Sequence, residues 1–165
     1  ILMQFIILAA FFLDAYAFTT EGLVGFSIGK RNKKAFLLAV NNSIQISFFT
    51  ALIISFLYLI FFKNIIAIIT DVEILRFISF KHIFWILIIP PAASFCYQLD
   101  GIFIGASQTS EFRNAMIFSV ISFIIISIYL TKFFTNHGIW LSLLIFMILR
   151  ALTLKYYFNK ILRRF

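Results

Sequence analysis

The sequence predicts an all-α integral membrane protein with five transmembrane helices. Three observations carry this. Of 165 residues, 63% are apolar and 12% charged, with a mean hydropathy of +1.07, whereas a soluble domain carries about 25% charged residues. Apolar runs recur that reach the roughly 20 residues needed to cross about 30 Å of hydrocarbon. Short polar segments separate them. A β-barrel would need strands of about ten residues with alternating polarity, and these runs are longer and continuous.

The first span runs from about Leu2 to Ile28 and the second from about Ala35 to Phe62. The third covers about Phe77 to Ala106, the fourth about Ala115 to Phe134, and the fifth about Gly138 to Phe158. The connections are Gly29 to Lys34, Lys63 to Arg76, Ser107 to Asn114 and Thr135 to His137. Thr70-Asp71-Val72-Glu73 reads as a helix start capped by Thr70 or Asp71, with acids at the positive end of the dipole. The chain opens on apolar Ile1 with no basic leader, which is not a signal peptide, and it reads as a piece of a longer chain. The single cysteine, Cys96, lies inside an apolar run. It excludes an intrachain disulfide framework and is expected to pack.

Basic residues set the expected orientation. One side collects nine: Lys30, Arg31, Lys33, Lys34, Arg113, Lys155, Lys160, Arg163 and Arg164. The other collects four, Lys63, Arg76, Lys81 and Lys132. The C-terminus is therefore expected in the cytoplasm, and the net charge of +8 reflects topology and contact with anionic lipid. Nucleic acid is not an expected partner, because no basic soluble domain is present to hold it.

Chemistry must lie where the membrane makes charge expensive, at roughly 2.5–3.5 kcal/mol for an ionisable group at mid-span. Four such groups occur: Asp14 and Glu21 on the first span, Asp100 on the third and Arg150 on the fifth. Asp14, Phe18, Glu21 and Gly25 share one helical face. Counted from the cytoplasmic ends, Glu21, Asp100 and Arg150 fall within about one turn of each other in depth. Two readings follow. Arg150 pairs with Glu21 or Asp100 to hold helices in register, or one of the three carboxylates titrates or binds a cation during transport. Burial favours the protonated form of such a carboxylate, and a group that exchanges a cation for a proton is what an antiporter needs.

Pro90-Pro91, ten residues before Asp100, is expected to kink or open the third helix, as a hinge or for shape alone. Gly25-x-x-x-Gly29 and Gly101-x-x-x-Gly105 read as close-packing motifs. Asn41, Asn42 and Gln45, with Ser119 and Ser122, read as interhelical hydrogen-bonding groups, or in the case of the first three as substrate contacts. His82 and His137 read as isolated residues near the outer surface without a second ligand at metal spacing. No metalloprotease helix, nucleophile elbow or P-loop occurs, so no enzyme and no cofactor is expected.

Three ordered motifs carry a family resemblance. Leu13-Asp14-Ala15-Tyr16-Ala17-Phe18-Thr19-Thr20-Glu21-Gly22-Leu23-Val24-Gly25, followed by Ile28-Gly29-Lys30-Arg31-Asn32, resembles the eighth transmembrane helix of MATE (multidrug and toxic compound extrusion) transporters, in their DNA-damage-inducible F branch. Gln98-Leu99-Asp100-Gly101-Ile102-Phe103-Ile104-Gly105-Ala106, with Thr109 and Arg113-Asn114-Ala115-Met116, resembles the tenth helix and its following loop. Asn136-His137-Gly138-Ile139-Trp140 resembles the start of the twelfth. The resemblance implies helices eight to twelve of a twelve-helix protein: a partial C-terminal lobe over residues 1–165, five of its six helices, partnered by a missing N-terminal lobe. It implies a location in the inner membrane and export of organic cations or drugs driven by H⁺ or Na⁺, with Asp100 matching the acid of the family's C-lobe cation site. Two rivals stand beside it. A lipid-precursor flippase of the same superfamily would need basic residues in its cavity, and a non-transporting remnant or scaffold would need no site at all.

Overall fold

The computed structural model describes residues 1–163 and 165, so Arg164 of the expected cytoplasmic end lies outside the described residues. Among the described residues every regular element is helical: α1 (Leu2–Gly29), α2 (Lys33–Ile69), α3 (Glu73–Lys81), α4 (Ile83–Gly105) and α5 (Thr109–Leu162). Four of them are long and apolar enough to cross a membrane. Asn32 starts α2 by accepting a hydrogen bond from the Ala35 amide at 3.0 Å, one of the free donors at any helix start.

The fourth of these helices is two arms, not one. At 54 residues, α5 would stretch roughly 80 Å if straight, far beyond the hydrocarbon core. Its dihedrals break at Thr135, at φ 48° and ψ −124°, a region that β-branched residues avoid. Three contacts show that the chain doubles back there. A Cβ on Gly138 would lie 2.4 Å from the Leu130 carbonyl oxygen, the Phe123 and Phe146 rings stand 5.8 Å apart, and Lys160 pairs with Glu111. Each pair is nearly symmetric about residue 135, the signature of an antiparallel hairpin. Only glycine at position 138 allows the backbones to approach this closely.

Two expected boundaries are corrected. The second helix passes Phe62 and continues to Ile69, and the stretch Phe77–Ala106 is not one helix, because α3 ends at Lys81 and α4 starts at Ile83. The break falls at His82, whose Nδ1 binds the Ile78 carbonyl at 2.9 Å while its ring stacks on His137 with centroids 4.4 Å apart. The cap of α3 is Val72 rather than Thr70 or Asp71. Thr70 instead ends α2, and Arg76 donates to the Thr70 and Ala67 carbonyls at 2.8 and 3.2 Å, closing the end of that helix.

Helix α4 is the hub, packed against α1, α2 and α5. It runs through Pro90-Pro91 as one continuous helix, so it does not open there. Its small-residue face meets α1 backbone to backbone. A Cβ on Gly101 would lie 2.3 Å from the Ala17 oxygen, and one on Gly105 would lie 2.4 Å from the Glu21 oxygen. Gly25 faces Gly105 at contact distance, whereas nothing approaches Gly29. Cys96 is buried in the core with Leu13, Ala51, Ala93 and Met147.

Candidate functional site

The close backbone contact between α1 and α4 has no counterpart between α1 and α5. The gap that remains over α4 is a cavity of about 220 Å³, and all four ionisable mid-span residues line it. Asp14 and Glu21 project from α1, Asp100 from α4 and Arg150 from the second arm of α5. Ala17 stands between the two acids of α1 and touches Gly101, next to Asp100. The small residues thus bring three carboxylates around one space.

Arg150 donates from Nη2 to Asp100 Oδ2 at 2.7 Å. Asp100 is 8% exposed, so the pair lies in a poorly solvated setting where its attraction is strong. The contact is a single one. Asp100 Oδ1 and Arg150 Nε are both buried and make no hydrogen bond to a described residue. The guanidinium carbon lies 5.5 Å from the Phe112 ring centre, within cation–π range. Asp14 and Glu21 are half-buried and make no hydrogen bond or ion pair with a described residue. Three carboxylates therefore face one guanidinium.

Several participants were not singled out from sequence. Tyr97 and Phe112 line the cavity. Tyr97 precedes Asp100 by three residues on the same helical face, so spacing alone was enough to find it. Phe112 lies in the polar segment before the span, and only the folded hairpin brings it to Arg150. Behind the site, fully buried Gln98 accepts a hydrogen bond from Thr20 at 2.6 Å, which ties α4 to α1.

Other expected polar roles are corrected. Asn41, Asn42 and Gln45 are exposed and make no hydrogen bond to another helix among the described residues. Ser119 bonds the Ala115 carbonyl of its own helix, and Ser122 bonds no described residue. In both cases the helical backbone or the surface took the side chain first. His82 and His137 are not isolated. They stack, with Trp85 donating to His137 at 2.9 Å and Asn136 3.3 Å from His82 Nε2. A larger groove of about 620 Å³ between α1 and α2 carries no charged side chain, whereas the smaller cavity gathers all four ionisable mid-span residues.

Compared with known proteins, the chain is 32% identical over 154 residues to DNA damage-inducible protein F of Escherichia coli (strain K12), across 93% of this chain and 33% of that protein. The chain thus spans a third of the length of this relative. No family model and no solved structure matches it. The likeness runs along almost the whole chain, well beyond the three motifs, and it is to the F-branch protein that those motifs resemble.

Proposed function

We propose that this chain, a multi-pass membrane protein homologous to a third of DNA damage-inducible protein F, is part of a cation-coupled antiporter that exports organic cations or drugs. The five spans would form most of a C-terminal lobe in the inner membrane, with H⁺ or Na⁺ as the coupling ion and a second lobe as partner. The observation that carries this reading is Asp100, a buried carboxylate bound to Arg150 at a single point in a cavity that holds two further acids. A buried acid can exchange a bound cation for a proton, because burial penalises its charged form while a cation favours it. Asp14 and Glu21 keep the cavity attractive to cations, and Phe18, Tyr97 and Phe112 give it aromatic faces suited to organic ones.

The rivals fit less well. A flippase for lipid-linked precursors handles pyrophosphate and needs a basic cavity, whereas this one sets three carboxylates against one guanidinium. A passive scaffold has no use for carboxylates left unpaired in a cavity, since each raises the cost of insertion. Pro90 and Pro91 stand two turns or more from Asp100 within α4 and are assigned as the hinge of that helix during transport.

The test is efflux by the whole protein that carries this chain, reconstituted in vesicles and driven by an ion gradient. Asp100→Asn keeps the shape of the side chain but cannot change charge, so a fluorescent organic cation is no longer extruded uphill. Differential affinity between states is what couples two ligands, and the variant has lost it. Asp14→Asn is expected to lower efflux less. Full uphill efflux by Asp100→Asn at equal expression overturns the coupling role.

A further inference from the structure

We propose that Arg150 is a tethered stand-in for the transported cation. It occupies Asp100 while the cavity is empty, and an organic monocation binds by taking Asp100 as the guanidinium moves to Asp14 or Glu21. This rests on the transport reading above and adds to it a competitor supplied by the chain itself.

The geometry of the pair points this way. A guanidinium has five donors and favours a two-pronged grip on a carboxylate. Here one Nη2–Oδ2 contact of 2.7 Å holds the pair, while Asp100 Oδ1 and Arg150 Nε are buried without a bond to any described residue. A pair serving only to fix helix register would be expected to close both prongs. One prong leaves half of Asp100 available to a second cation.

The surroundings supply the other half of the exchange. A buried charge deprived of its partner is strongly destabilised, so a ligand that takes Asp100 must leave Arg150 another anion. Asp14 and Glu21 line the same cavity and have no ion-pair partner among the described residues. Phe112 lies under the guanidinium at 5.5 Å, a face on which the planar group can turn without losing its contact. With every acid ionised the cavity carries two more negative charges than positive, so an incoming monocation is attracted even though Arg150 remains.

Equilibrium binding of tetraphenylphosphonium to the purified whole protein, at fixed pH in sodium-free buffer, tests the exchange. Arg150→Gln removes the competitor, so binding tightens about tenfold while uphill efflux falls, because nothing displaces the ligand. Arg150→Lys keeps the charge but loses the planar face against Phe112, and binding tightens about threefold. Loss of the positive charge alone also tightens cation binding in Arg150→Gln, so tightening in Arg150→Lys, where the charge is kept, is the result that the stand-in requires. Folded protein of either variant with wild-type or weaker affinity overturns the stand-in. If Arg150→Gln does not yield folded protein, Arg150→Lys alone decides by the same criterion. Wild-type binding that Asp100→Asn leaves unchanged sinks the transport reading and this inference together. Binding that needs Asp100 but fails to tighten in Arg150→Lys sinks the stand-in alone.

Discussion

Asp100 and Gly101 are neighbours in sequence and answer to different demands. Depth in the membrane fixes the first, and counting from span ends placed Asp100 level with Arg150, to which it is bonded at 2.7 Å. Contact with a backbone fixes the second, since a Cβ at Gly101 would lie 2.3 Å from the Ala17 oxygen. Gly101→Val should push α1 off α4, widen the cavity and destabilise the fold by about 1–3 kcal/mol. Gly29→Ala meets nothing within 4 Å and is expected to stay within about 0.5 kcal/mol of wild type. Thermal unfolding of the detergent-solubilised protein compares the two, and equal midpoints would show that the glycine contact is dispensable. Depth was legible because each residue adds a fixed rise along a helix. Facing was less so. Asn41, Asn42 and Gln45 have the same composition whether they point at a neighbour or away, and only the fold shows that they point away.

Elements were legible where their limits are local and obscure where they are not. The apolar runs located α1, α2 and both arms of α5, and Thr135-Asn136-His137 was read as the turn of what proves to be a hairpin. The separation of α3 from α4 was hidden, and the residue at the break, His82, stacks on His137, 55 positions further along the chain. The open end of the hairpin is closed by Glu111 and Lys160, before the first span and after the second. Hydrogen bonds from Lys160 and from Ser110 hold the Glu111 carboxyl well below the usual carboxylate range. The sign of the linkage follows: a depressed carboxylate stabilises the fold above the unfolded value of about 4.3 and loses that contribution as pH falls through the depressed one. Lys160 is 58% exposed in its side chain, so screening limits the pair to about 1 kcal/mol or less. A double-mutant cycle with Glu111→Gln and Lys160→Gln should give a coupling of that size at neutral pH that vanishes in strong acid. Additive effects at neutral pH would mean that the hairpin closes without the pair.

At the scale of the whole molecule, the two ends of the bundle hold together whatever its orientation. At one end the Phe36 ring stands 6.0 Å from Phe158 and 5.2 Å from Phe165, and Glu111 meets Lys160. The three segments read as cytoplasmic from their charge are therefore neighbours in space. At the other end Phe62 packs on Phe80, and Trp85 bonds His137, which gathers the segments read as external. Sidedness is thus one binary choice for the entire chain, and the nine-to-four bias of basic residues predicts which one. A labelled cysteine at any one connection reports on all of them. In a Cys96→Ser background, which removes a buried thiol that makes no hydrogen bond among the described residues, Asn32→Cys should resist a membrane-impermeant maleimide in intact cells and react after permeabilisation. Asn136→Cys should react from outside in intact cells. Reaction of position 32 from outside would invert the whole assignment. Protection of both positions from outside would break the link between the two ends and with it the five-span topology.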